Sequence, residues 1–160
     1  MGKLKFSFLV LMLVASVSAF ADWVPADVQA ALKKMYPAAD DVAWSHDESY
    51  CVADFLMNGF DTKVWFDGQV QWVMQQTDWE TMDEVPPAVY NAFAASEYSG
   101  GMVQNVTWIQ FPRWQSIVAV EVGMANLQTK YQILFAPTGE IIRVRNVTYI
   151  YNPLGAATFL

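Results

Sequence analysis

Two stretches of the chain carry the spacing of a helix that lies on a sheet. Val28, Ala31, Leu32 and Met35 recur at i, i+3, i+4 and i+7, while Asp27, Gln29, Lys33 and Lys34 take the opposite face. Pro25 suits the entry to such a helix and Pro37 ends it. The pattern returns at Val89, Ala92, Phe93 and Ser96, behind Pro86 and Pro87, and stops at Ser99-Gly100-Gly101. Each helix therefore offers one apolar stripe to a sheet.

Behind each helix come short runs rich in β-branched and aromatic residues, separated by turn formers. The first set reads as strands near 41–45, 50–57, 61–66 and 70–76, the second as strands near 104–110, 116–123, 129–135 and 140–151. Asn58-Gly59 and Asp67-Gly68 are strong hairpin signals, because both accept positive φ at little cost. Pro137-Thr138-Gly139 supplies the last turn. A two-residue and a three-residue loop both fit Asp67-Gly68, and the choice leaves the facing of Gln71 and Trp72 open. In the last strand Arg143, Arg145, Val147, Tyr149 and Tyr151 share one face, with Ile142, Val144 and Ile150 on the other.

The two halves also echo each other. Val24-Pro25-Ala26-Asp27-Val28 returns 61 positions later as Val85-Pro86-Pro87-Ala88-Val89. Val42-Ala43-Trp44 matches Val106-Thr107-Trp108, Met57 matches Met124, and Phe66, Gly68 and Val70 match Phe135, Gly139 and Ile141. The expected fold is α+β, with two tandem repeats, each one helix packed on a four-stranded antiparallel sheet. The repeats take residues 22–79 and 85–160, with an acidic linker at 80–84. One helix covers one face of a sheet, so the other face meets the second copy, a partner or water.

The chain opens with the basic stretch Met1-Gly2-Lys3-Leu4-Lys5, an apolar run from Phe6 to Val17, and Ala19-Phe20-Ala21, which together have the form of a signal peptide over residues 1–21. The apolar run is shorter than the roughly 20 residues that cross a bilayer. No transmembrane anchor is expected after cleavage, and the expected destination is the periplasm or the cell exterior. Cleavage removes Lys3 and Lys5 but no acid, so nine basic residues fall to seven against sixteen acidic ones, and the net charge moves from -7 to -9. Such a surface repels phosphate backbones, which excludes nucleic acid as a partner. Seven Trp, seven Tyr and ten Phe argue for a folded chain. Cys51 is the single cysteine, so no internal disulfide forms, and its strand-like setting marks it as an inert buried thiol.

Candidate chemistry is sparse. Ser45, His46 and Asp47 stand side by side, but a catalytic triad needs side chains converging from separate elements, and neighbours diverge. His46 is expected on an exposed loop. The acidic run from Asp78 to Glu84 lacks the glycine and ligand spacing of an EF-hand loop and reads as a solvated linker, so no metal and no cofactor are assigned.

Val-Pro-primed helices, first strands of the form Asp41-Val42-Ala43-Trp44 and Asn105-Val106-Thr107-Trp108, and the Phe66-Asp67-Gly68 hairpin carry a family likeness. Over residues 24–151 the chain resembles the PepSY-like, beta-lactamase-inhibitor-like secreted proteins common in gut Bacteroidetes. The resemblance implies tandem helix-plus-sheet modules in the periplasm and a role in binding or restraining other proteins, and it brings no agreed active site. The second helix lacks the Tyr36-Pro37 ending of the first, and the loop from Trp108 to Ser116, with Pro112-Arg113-Trp114, is longer than its counterpart. No inhibitory residue is therefore carried over.

The expected function is that of a periplasmic or secreted, non-enzymatic binding protein whose partner is another envelope or secreted protein. Aromatic anchors are common interface hot spots. The candidate partner-binding residues on the open sheet face are Trp65, Trp72, Trp108, Trp114, Arg143, Arg145 and Tyr149. The alternative is a structural or self-associating envelope protein.

Overall fold

Helix α1 (Ala26–Met35) begins behind Pro25, with Asp27 in its first turn and Lys33 and Lys34 in its last, so side-chain charge matches the helix dipole at both ends. Val28 and Leu32 are its buried positions. Helix α2 (Pro87–Ala94) starts on a proline and buries Val89 and Phe93, again four residues apart. These elements belong to a computed structural model that describes residues 23–160. The expected signal peptide, residues 1–21, lies outside them.

Eight strands follow the helices in two runs: β1 (Ala43–Asp47), β2 (Tyr50–Met57), β3 (Phe60–Phe66) and β4 (Trp72–Asp78), then β5 (Met102–Gln110), β6 (Ile117–Met124), β7 (Thr129–Phe135) and β8 (Ile141–Asn146). Each pairs antiparallel with its chain neighbours, in the order β1-β2-β3-β4-β5-β6-β7-β8. The expectation of two tandem repeats, each with its own four-stranded sheet, is thereby corrected. Gln75↔Gln110, Gln76↔Ile109, Thr77↔Trp108 and Asp78↔Thr107 join β4 to β5 and make one eight-stranded sheet. Two separate meanders would leave four edges of unpaired backbone groups, whereas the joined sheet leaves two. The stretch expected as a linker is structured too: the Trp79 amide donates to the Val106 carbonyl, and Met82–Glu84 forms a 3-10 turn capped by Thr81.

The hairpins differ in how they turn. Asn58 (φ 52) and Gly59 (φ 86) form a two-residue turn closed by Met57↔Phe60, as their sequence implies. Asp67-Gly68 takes the longer of its two readings: the Asp67 amide donates to the Gln71 carbonyl and closes a three-residue loop over Gly68, Gln69 and Val70. The Asp67 carboxylate organises it by accepting from the amides of Gln69 and Gln71. The last strand also ends earlier than expected, at Asn146 rather than 151, with Val147 buried behind it. Tyr149 and Tyr151 are therefore not strand residues. His46 lies on β1 rather than on a loop, its ring 4.1 Å from that of Trp23.

Both helices lie on one face of the sheet. Val28 and Leu32 of α1 pack with Ala53, Phe55, Val64 and Phe66. Val89 and Phe93 of α2 pack with Val106, Val118, Val120, Val122, Ile133 and Phe135. Trp79 stacks on Trp108 at 5.3 Å and closes the second cluster near the strand junction.

Because one ladder runs through both clusters, Phe66→Ala and Phe135→Ala are expected to destabilise the same cooperative transition. Each should cost about 3–5 kcal/mol, and chemical denaturation followed by far-UV circular dichroism and by tryptophan fluorescence should give one coincident midpoint per variant. Two separated transitions would show that the halves unfold independently.

Candidate functional site

The second face of the sheet has no α1 or α2 above it. Alternation along each strand places Val52, Trp65, Met74, Ile109, Ala119 and Leu134 there, all buried. They are covered by the chain's own end. Leu154, Ala156 and Phe159 pack on this cluster, the last two within the four-residue helix α3 (Ala156–Phe159). The tail after Asn146 therefore runs back across the sheet from β8 towards β1.

Polar side chains hold the tail in place. Asp47 Oδ2 accepts from Trp65 Nε1 at 2.9 Å and from the Ala156 amide at 2.7 Å. Gln76 Nε2 donates to the Leu154 carbonyl at 2.6 Å. The Pro153 carbonyl accepts from Gln132 Nε2 at 3.2 Å and from Arg145 Nη2 at 2.9 Å, and Arg145 also donates to Gln132 Oε1 at 2.6 Å. Burial, with Arg143 beside it, holds the Arg145 guanidinium below its ordinary pKa, and Glu121 acts the other way.

Where the tail stops covering the sheet, a cleft of about 680 Å³ remains, lined on the sheet side by Asp54, Asp61, Lys63, Asp78, Thr107 and Glu121 and on the tail side by Ile150, Tyr151 and Asn152. Lys63 Nζ lies 3.3 Å from Asp54, and Lys130 Nζ lies 3.8 Å from the nearly buried Glu121. The Lys63 pair is well exposed and adds little stability. Its charges remain accessible to a visitor.

The expected site residues are scattered across the molecule. Trp65 is 4% exposed and spends its indole N–H on Asp47. Trp72 packs into the α1 cluster and Trp108 into the α2 cluster, both on the helix face. Trp65 is thus a packing residue of the second face, while Trp72 and Trp108 are partly buried against the helix-face clusters. Trp114 is 65% exposed on the β5–β6 loop with its ring against Phe111, and Tyr149 is 98% exposed in the tail. Arg143 is exposed on the second face, opposite Leu134, while Arg145 is committed to the tail. Ser45 and Asp47 lie on the second face and His46 on the other, so alternation alone separates the three. Among the described residues, no group of three or more His, Cys, Asp or Glu could hold a metal ion.

The tail and the cleft were not anticipated from sequence. The available signal was the apolar ending Leu154–Leu160 together with an apolar set on the second face that needed a cover.

Residues 48–143 match the family described as "Putative beta-lactamase-inhibitor-like, PepSY-like". The crystal structure of a DUF2874 family protein from Bacteroides uniformis is 93% identical, covers 86% of this chain and 100% of its own, and superposes with a TM-score of 0.85. A structure from Bacteroides eggerthii described as "putative periplasmic" is 67% identical over 85% of this chain and 98% of its own, with a TM-score of 0.83. A BLIP-like protein from Bacteroides fragilis is 30% identical over 80% of this chain and 91% of its own, with a TM-score of 0.73. No curated protein matches. No helix among the described residues is long and apolar enough to cross a membrane.

Asp47→Ala leaves two donors, Trp65 Nε1 and the Ala156 amide, without their acceptor. It is expected to cost about 1–3 kcal/mol and to speed hydrogen exchange at Ala156 while leaving the α1 amides protected. Equal protection at Ala156 in both proteins would show that Asp47 does not anchor the tail. Burial also pushes the Cys51 thiol pKa up, so the folded protein carries less thiolate than an unfolded chain at mildly alkaline pH. Iodoacetamide should label native Cys51 several-fold more slowly than the urea-unfolded chain, and equal rates would contradict the assignment.

Proposed function

The chain belongs to the PepSY-like, beta-lactamase-inhibitor-like family, and on that premise we propose that it is a periplasmic, non-enzymatic module that binds another protein through the uncovered part of the sheet's second face. The observation that carries the reading is the cleft between the tail and the polar part of that face. A cleft floored by regular strands is rigid, and its accessible charges, Asp61 and the Asp54–Lys63 pair, can orient a partner without rearrangement. Tyr151, fully exposed on the tail side, supplies the aromatic area that interfaces favour, with Tyr149 two residues before it.

Binding rather than catalysis is supported by how the cleft's carboxylates are spent. Asp54 and Glu121 face lysines, Asp47 holds the tail, and Asp78 accepts from the Glu80 amide. Asp61 stands exposed and is left for a partner. The periplasmic reading is supported by the leader expected at 1–21 and by the description of the Bacteroides eggerthii relative. The BLIP-like description of the Bacteroides fragilis relative favours a protein as the ligand class.

The test uses mature protein (residues 22–160) immobilised against envelope extract, with captured proteins identified by mass spectrometry and their affinities measured individually. A double variant, Tyr149→Ala with Tyr151→Ala, and a separate Asp61→Lys variant should each weaken a true partner at least about tenfold, which corresponds to about 1.4 kcal/mol. Tyr90→Ala on the outer side of α2 should leave affinity unchanged. Loss with Tyr90→Ala and retention with the cleft variants would move the site to the helix face and overturn the proposal.

A further inference from the structure

The joined sheet has two free edges, β1 and β8, and they are unlike each other. Every residue of β8 except Arg145 is exposed, including Ile141, Ile142 (50%) and Val144, so a row of aliphatic side chains stands in water along an unpaired backbone edge. Natural sheets avoid such an edge unless something covers it. Val144 lies opposite Ile133 and so on the helix face, while Arg143 and Arg145 lie on the second face. On β1, Trp44 and His46 lie on the helix face, and Ser45 and Asp47 on the second face. Acidic residues flank β1 at both ends, with Asp40 and Asp41 before it and Asp47 and Glu48 at its close.

We propose that β8 of one molecule pairs antiparallel with β1 of a second copy, so that copies add head to tail into a continuing sheet. Strand directions alternate through the eight-strand meander, so β1 of a copy in the same orientation meets β8 antiparallel with its helix face on the same side. In that alignment Val144 and Ile141, opposite Ile133 and Phe135, meet the Trp44 and His46 side, with Ile142 exposed at the bulge between them. Arg143 meets the second-face side of β1, with Asp40, Asp41 and Glu48 in the segments that flank the strand, while Arg145 and Asp47 stay bound to the tail. Charge selects this arrangement over the symmetric one. Pairing β8 with another β8 sets arginines against arginines, and pairing β1 with β1 sets acids against acids, and like charges across a ladder are destabilising. Elsewhere the acidic surface makes copies repel. The contact is heterologous, and unless the rotation per copy closes a ring it makes open chains.

The experiment is sedimentation velocity on mature protein (residues 22–160) over a concentration series, with two edge variants confirmed folded by their thermal transitions. Ser45→Arg places a cation on β1 and disables that edge only, while Ile142→Asp with Val144→Asp disables β8 only. Should the double variant lose the native transition, Arg143→Glu takes its place. Wild-type mass should rise with concentration past that of a dimer, and each variant alone should stay monomeric. An equimolar mixture should give a species of twice the monomer mass and nothing larger, because it holds one working β8 and one working β1. Wild type that stays monomeric throughout, association that survives Ser45→Arg, or variants that fail to complement would each overturn the proposal, the second by pointing to a symmetric β8 contact.

Discussion

The ladder between β4 and β5 is the constraint on which the rest of the molecule depends. Its four residue pairs carry the hydrogen bonding of one half into the other, so the helix-face clusters under α1 and α2 lie side by side on a single sheet. The second face becomes continuous in consequence. Only across a continuous face can the segment after β8 travel back to β1, where the Ala156 amide meets Asp47, 109 positions earlier in the chain. Two separate sheets would have given the tail no path and the cleft no floor.

The tail's attachment is polar where a hydrophobic cover alone would slide. Leu154, Ala156 and Phe159 supply apolar contact, but apolar contact has no direction. The carbonyls of Pro153 and Leu154 and the amide of Ala156 each find a side-chain partner rooted in a different strand: Arg145 in β8, Gln132 in β7, Gln76 in β4 and Asp47 in β1. Gln132 and Gln76 are buried, where an unbonded amide would cost more than the bond itself returns. These pairings fix the register of the tail against the sheet, and with it the line along which the cleft begins.

Much of the local structure was legible in the sequence. The i, i+4 stripe through Val28 and Leu32 and the Asn58-Gly59 turn depend on interactions within a few residues, which pattern and turn chemistry report directly. Asp67-Gly68 left two loop lengths open because an aspartate can serve two turns. Its carboxylate captured the amides of Gln69 and Gln71 and drew out a longer loop than a glycine with positive φ requires. The joining of β4 to β5 was not legible, since a strand reads alike whether its edge meets water or another strand. The placement of three of the tryptophans was not legible for a related reason. Trp65, Trp72 and Trp108 are strand residues whose facing was known only in part, and a large ring offered to either cluster is better placed inside it than in water.

The division of the second face into a covered and an open part is written into the strands themselves. The residues beneath the tail are Val52, Trp65, Met74, Ile109, Ala119 and Leu134. Two positions away along each strand, forward in β2, β4 and β6 and backward in β3, β5 and β7, stand Asp54, Gln76, Glu121, Lys63, Thr107 and Gln132. Antiparallel pairing lines these residues up directly from β2 to β4 and from β6 to β7. The rows step by two residues at β4–β5, where Gln76 meets Ile109, and at β5–β6, where Thr107 meets Ala119, so the apolar set crosses the sheet obliquely with polar residues beside it. Exposed, the apolar set would be a sticky patch, and the buried polar residues beside it each have a partner: Gln76 and Gln132 in the tail's carbonyls, Thr107 in Asn105 and Glu121 in Lys130. Gln76, Thr107, Glu121 and Gln132 are buried beside the tail, whereas the Asp54 and Lys63 side chains are exposed. The open floor of the cleft therefore lies towards β2 and β3, and its position follows from the same strand alternation that places the core.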